Sequence, residues 1–126
     1  MLAVWINVDE CIGRKDLMTK QFTNIKFVTK NKRISAITPD DIDDYVHPLD
    51  LPYKCDPTNT YFKNCKNCKR EHCTLLSHML ALEEGYNQNE EWFIVFEDDT
   101  IIAHEINLNE LLKTIPPDAE VLQLHC

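Results

Sequence analysis

An apolar run, Trp92-Phe93-Ile94-Val95-Phe96, ends without transition in three acids, Glu97-Asp98-Asp99. A stretch this rich in β-branched and aromatic residues reads as a buried strand. In α/β sheets, ligands lie just beyond the carboxyl ends of the strands, so the acids stand where a ligand would sit. Hard divalent cations such as Mn²⁺ and Mg²⁺ take carboxylate oxygens and bridge them to substrate phosphates. Asp98 and Asp99 are therefore candidate metal ligands. The competing reading is a solvated acidic turn.

The rest of the chain alternates in kind. Leu2 to Val8 reads as a first buried strand, and Gly13 to Phe22 carries Leu17, Met18 and Phe22 at helical spacing. Short β-type runs follow at Ile25 to Thr29 and Arg33 to Ile37. From Thr38 to about residue 70 the chain is rich in Cys, Pro and acids, with Pro39, Pro48, Pro52 and Pro57 interrupting regular structure, and is expected to be mostly loop. Cys73 to Tyr86 then places Leu75, Leu76, Met79, Leu80 and Leu82 around a helix that ends near Gly85. After the strand Trp92 to Phe96, Leu108 to Ile115 reads as a short helix and Pro116-Pro117-Asp118 as a turn. Glu120 to His125 reads as a last strand, with Val121, Leu122 and Leu124 available to the core. Strands alternating with helices imply one α/β domain with a mostly parallel sheet.

Charge narrows the partners. With 21 acids against 13 bases, a net charge of −8 argues against an electrostatically driven nucleic-acid or anionic-membrane surface. An anionic ligand needs a screening cation, which the acidic triplet is placed to hold. No run is long enough to span a membrane, and Leu2 to Val8 lacks a basic leader, so a cytoplasmic protein is expected.

Three blocks, in order, resemble one family. The first is Trp5-Ile6-Asn7-Val8-Asp9 with Arg14 five positions on, continued by Met18, Lys20, Gln21 and Phe22 and accompanied by Arg33-Ile34-Ser35-Ala36-Ile37. The second is Cys73-Thr74-Leu75-Leu76-Ser77-His78, and the third is Phe93 to Asp99. Together with Pro116 to Leu124 they are similar to the "INLD", "R-x-x-A-V", "C-x-x-S-H", "LVLEDD" and "P-x-D-x-x-x-L-Q-L" motifs of the family 25 glycosyltransferases. That family includes lipopolysaccharide and collagen galactosyltransferases. Two departures stand out. Arg70-Glu71-His72 replaces a glutamate and a small residue before Cys73, and Thr38-Pro39-Asp40 replaces an Asp-Gly after the second strand.

The resemblance implies a GT-A type, Rossmann-like fold that binds a UDP-sugar with Mn²⁺, or Mg²⁺, at the acidic motif and transfers a hexose to a saccharide or protein acceptor. Asp99 is the first choice as ligand, with Asp98 and Glu97 contacting metal, ribose or sugar. Asn7, Asp9 and Arg14 are expected at the nucleotide, and Ser77 and His78 at the donor sugar or diphosphate. The plainer alternatives are that Asp9 only terminates a strand, Arg14 only pairs with an acid and His78 is structural. Family domains continue into an acceptor-binding half, so the chain is expected to be a transferase of this type or only its nucleotide-binding half. The general base is expected outside it, with the acids from Asp40 to Asp56 as substitutes.

Four of six cysteines crowd together as Cys55, Cys65, Cys68 and Cys73. Cys65-Lys66-Asn67-Cys68 has the spacing of a zinc knuckle, so a structural Zn²⁺ stands beside free thiols and disulfides as a reading of the cluster. Thioredoxin-type chemistry is not expected, because the Cys-x-x-Cys pair is read as lying in a polar loop. Two rival functions therefore stand beside the transferase. One is a binding module that holds a nucleotide sugar without transferring it; the other is a small zinc-stabilised interaction domain.

Overall fold

The computed structural model describes residues 1–42 and 66–122, with residues 66–68 described by their backbone alone. The elements run β1 (Leu2–Asn7), α1 (Ile12–Asn24), β2 (Lys30–Ser35), α2 (Lys66–Asn87), β3 (Phe93–Glu97) and α3 (Leu108–Thr114). The three strands form one parallel sheet in the order β2-β1-β3. This is the mostly parallel α/β architecture expected from the alternation of strands and helices.

β1 is central and buried along its whole length. Its alternate side chains serve two separate cores, as the two-residue period of a strand requires. Ala3 and Trp5 face α1, where they meet Met18, Phe22, Phe27, Val28 and Phe96. Trp5, Phe22 and Phe96 form a tilted aromatic row with ring centroids 5.9 Å apart at each step. Such pairs contribute about 0.5–1.5 kcal/mol each beyond simple area burial. Leu2, Val4 and Ile6 face the other way, toward Ala81 of α2, with Ile34, Phe93 and Val95 around them. A third cluster joins Cys73 and Leu76 of α2 to Ile37 and Ile42.

The helices thus cover opposite faces, and the chain leaves β1 toward β2 on one side and returns to β3 on the other. The carboxyl ends of β1 and β3 therefore form a topological switch point, where the connections diverge and leave a crevice.

Several expectations are corrected. Ile25 to Thr29 is not a strand: Phe27 and Val28 fill the α1 core from a bent segment, and the strand begins at Lys30. Lys30-Asn31-Lys32 lacks an apolar pattern because an edge strand needs backbone pairing, here with Leu2, Ala3 and Val4, more than burial. α2 begins at Lys66 rather than Cys73, since nothing between them breaks a helix although the residues are polar. Cys68 therefore has helical backbone, not loop, while Cys55, Cys65 and most of the 38–70 segment lie outside the described residues. Leu17, Leu75 and Leu82 are exposed rather than packed. Val121 and Leu122 are exposed and Glu120 to Leu122 is not a strand; Leu124 lies outside the described residues. Among the described residues, no helix is long and apolar enough to cross a membrane.

Gly85 shows how closely α2 lies on the sheet. A Cβ built there overlaps the ring of Phe93. Gly85→Ala would gain up to ~1 kcal/mol of helix propensity, but the overlap forces the ring aside at a cost of about 1–3 kcal/mol. The net effect expected is destabilisation, read as a lower urea midpoint, and Gly85→Ala with Phe93→Leu should recover part of it.

Candidate functional site at the strand ends

Strand alternation sorts the acidic triplet. In β3, Phe93 and Val95 face α2, so Glu97 does too, while Phe96 faces α1 and Asp98 follows it. Glu97 accordingly meets His78 of α2, with Nε2 to Oε1 at 2.9 Å. Asp98 turns to α1 and β1. Its Oδ2 accepts from Asn7 Nδ2 at 2.7 Å, and its Oδ1 accepts from Arg14 Nη1 at 3.0 Å. Asp99 sits in the turn closed by Thr100 N–H donating to the Glu97 carbonyl, 3.9 Å from the same Arg14 nitrogen.

The two acids expected to share a cation are therefore placed unequally. Asp98 is buried with both oxygens engaged, whereas Asp99 keeps 61% of its side chain exposed. Arg14, in turn, has its pKa raised, first by its hydrogen bond to Asp98 and then by that carboxylate's charge.

Asn7 is the junction of the site. It is almost wholly buried and donates from Nδ2 both to Asp98 and to the Cys11 carbonyl at 3.3 Å, while Oδ1 accepts from Arg33 Nε at 3.0 Å. Both of its N–H donors are engaged within the protein. Arg33 also bonds the Asn7 carbonyl at 3.4 Å and pairs with Asp9, which accepts a further bond from Ser35 Oγ at 2.8 Å. These contacts hold the Asp9 carboxyl below its ordinary 3.8, with the Arg33 hydrogen bond as the largest cause and that from Ser35 next. A continuous path thus runs from Asp9 through Arg33, Asn7 and Asp98 to Arg14.

Ser77 is buried, and its hydroxyl donates to the Cys73 carbonyl at 2.7 Å and accepts from the Ile37 N–H at 2.9 Å. It brackets α2 to the chain leaving β2. Just beyond, the Asp41 carboxylate accepts from the Thr38 hydroxyl and then from the Thr38 N–H, which lowers its pKa.

An open cavity of about 500 Å³ lies over the strand ends. Asn7, Arg14, Ser77, His78, Glu97, Asp98 and Asp99 all line it; Asp9 does not, and its neighbour Glu10 does. Sequence reasoning missed two residues. Arg33 was legible only as part of the second strand, yet its register opposite Trp5 brings it to Asn7. Gln21, which the sequence marks only as continuing the first block, clamps the chain after the acids: its Nε2 donates to the Thr100 carbonyl at 2.9 Å and its Oε1 accepts from the Ile102 N–H at 2.8 Å.

Cys73 packs with Ile37, Ile42 and Leu76 as well as lining the cavity. Of the other cysteines expected to hold zinc, Cys55 and Cys65 and the side chain of Cys68 lie outside the described residues. Among the described residues, no three His, Cys, Asp or Glu side chains are gathered around a common point to hold an ion.

The parallel sheet, its switch point and the cavity above it are consistent with a partial Rossmann-like α/β domain that has an open crevice at its strand ends. The chain belongs to glycosyltransferase family 25, described as LPS biosynthesis proteins, whose family model matches residues 3–126. Comparison with curated proteins and with solved structures returned no match.

Two stability tests follow from this geometry. Asp98→Ala removes a charge-assisted buried acceptor and should cost about 1.5–3 kcal/mol in urea unfolding, while Asp99→Ala should change stability by no more than ~0.5 kcal/mol. Asp9 has a depressed folded pKa, so its stabilisation is complete above pH 3.8 and is lost as pH falls through the folded value. Asp9→Asn should therefore flatten the acid limb of the stability curve below pH 4, followed by circular dichroism.

Proposed function

We propose that the domain binds a UDP-sugar across the carboxyl ends of β1 and β3, together with Mn²⁺ or Mg²⁺, and transfers its hexose to a saccharide or protein acceptor within a GT-A type fold. Family membership supports the transferase chemistry. The observation that carries the finer reading is the convergence of Arg14, Glu97 and Asp99 on one cavity, beside an Asn7–Asp98 pair that fixes them.

The residues fit a cation of this kind. Glu97 and Asp99 present partly exposed carboxylates to the cavity, and Asp98, held by Asn7 and Arg14, keeps the turn between them in place. When bound, the cation stabilises negative charge developing on the leaving diphosphate. Arg14 has guanidinium donors beyond the Nη1 engaged with Asp98, and these are suited to a phosphate oxygen. His78, paired to Glu97, orients that carboxylate toward the cavity. The Ser77 bracket places the wall of α2 facing them.

The decisive measurement is a thermal-shift panel of UDP-sugars with and without Mn²⁺, joined to an assay of UDP release. Ligand at a hundred times its Kd stabilises a protein by about 2.7 kcal/mol, which is several degrees for a domain of this size. The shift is expected only when nucleotide and Mn²⁺ are both present, and Asp99→Ala should abolish its Mn²⁺-dependent part and lower UDP release at least tenfold. Equal binding and turnover by the variant, or no shift with any UDP-sugar, would sink the reading.

A further inference from the structure

The cavity is short of free positive charge. Five carboxylates line it, from Glu10, Asp40, Glu97, Asp98 and Asp99, against the guanidiniums of Arg14 and Arg70. Arg14 is committed to Asp98, and nearby Arg33 to Asp9. Arg70 is different. It lies on α2 one and two turns before Thr74 and His78, and all three line the cavity, so the i, i+4, i+8 spacing of a helix aligns them on one face. The Thr74 hydroxyl donates to the Arg70 carbonyl and so does not compete for a ligand. Among the described residues, the Arg70 guanidinium has neither a hydrogen bond nor an ion pair.

We infer that Arg70 is an oxyanion-recognising residue of the cavity, forking a phosphate or carboxylate group of the bound substrate from the α2 wall. This rests on the nucleotide-sugar reading and deepens it. A guanidinium facing a cavity dominated by carboxylates can pair with one of them, stay in water or serve an incoming anion, and among the described residues no pairing is made. Its planar fork matches two oxygens of one phosphate or carboxylate. The cation at Glu97 and Asp99 and the guanidinium of Arg70 would then approach an anion from opposite walls, one on β3 and the other on α2. The same chemistry has two sources: the diphosphate common to all UDP-sugars, or the carboxylate of an acidic sugar.

The test titrates the full chain and its Arg70→Gln and Arg70→Lys variants, in the presence of Mn²⁺, with inorganic pyrophosphate, UDP, UDP-galactose and UDP-glucuronic acid, following thermal midpoint. Ligand-free midpoints within a degree of the parent show that the exposed substitution leaves the fold intact; Arg70→Lys, which keeps the charge and stem, is read in its place if Arg70→Gln does not fold. The expected result is a tenfold or greater rise in apparent Kd for Arg70→Gln, with Arg70→Lys between it and the parent. A rise shared by all four ligands assigns the diphosphate, and a rise confined to UDP-glucuronic acid assigns a sugar carboxylate. Unchanged affinities for every ligand overturn the inference while leaving nucleotide binding intact. Loss of pyrophosphate binding in Arg70→Gln, with no parent binding of UDP or either UDP-sugar, upholds Arg70 and overturns the nucleotide reading. A parent that binds none of the four overturns both.

Discussion

The hydrogen bond from Asn7 to Asp98 ties the central strand to the acidic turn, and the rest of the site depends on it. It is short, buried and made to a carboxylate, a combination that contributes about 1.5–3 kcal/mol. The ion pair on the other oxygen of Asp98 contributes less, because Arg14 is more than half exposed and such pairs yield at most ~1 kcal/mol. The buried amide therefore decides where Asp98 points, and Arg14 follows. Arg33 acts one step earlier. By donating to Oδ1 it leaves only the nitrogen of the Asn7 amide to face Asp98, so an edge strand residue governs the polarity of a bond on the opposite side of β1. With this path in place, the turn after β3 needs only the Thr100 and Gln21 bonds to be fixed on both flanks.

Three consecutive acids acquire three different roles from the two-sided geometry of a strand end. Glu97, last in β3, keeps the alternation and faces α2; Asp98 faces α1; Asp99 falls beyond the sheet in the turn. A carboxylate cluster would repel itself if all three shared one side, and dividing them between a histidine, an amide with a guanidinium, and solvent relieves that repulsion. Asp98 serves the fold. Glu97 and Asp99, which flank Asp98 in sequence, remain on the cavity with partly exposed carboxylates.

Much of this was legible in the sequence because burial writes a period into it. β1, β3 and α1 follow directly from their apolar residues, and the acidic triplet was visible as a break in that pattern. What escaped notice was polar or non-local. The start of β2, Lys30-Asn31-Lys32, pairs through the backbone at the sheet edge and the first turns of α2 are charged, so neither carries an apolar signature, whereas Arg33 to Ser35 fall within the β-type run Arg33 to Ile37. Phe27 and Val28 mislead in the opposite sense, since a bent segment can bury two side chains as well as a strand does. The site residues were largely recognisable by type, but their partners were not. The Arg33–Asn7 bond joins residues 26 apart and the Asn7–Asp98 bond residues 91 apart, separations that only the β2-β1-β3 order brings together.

Charge is the last constraint. A protein with 21 acids and 13 bases concentrates five carboxylates on one cavity, and its arginines there are divided between internal pairing and availability. Arg14 and Arg33 neutralise the acids that hold the framework, leaving Glu97 and Asp99 to impose a negative field on the open space. Such a field repels anions and attracts cations. Among the described residues, the cavity arginine left outside the internal pairs is Arg70, on the first turns of α2, the part of the helix that hydrophobic periodicity leaves unannounced.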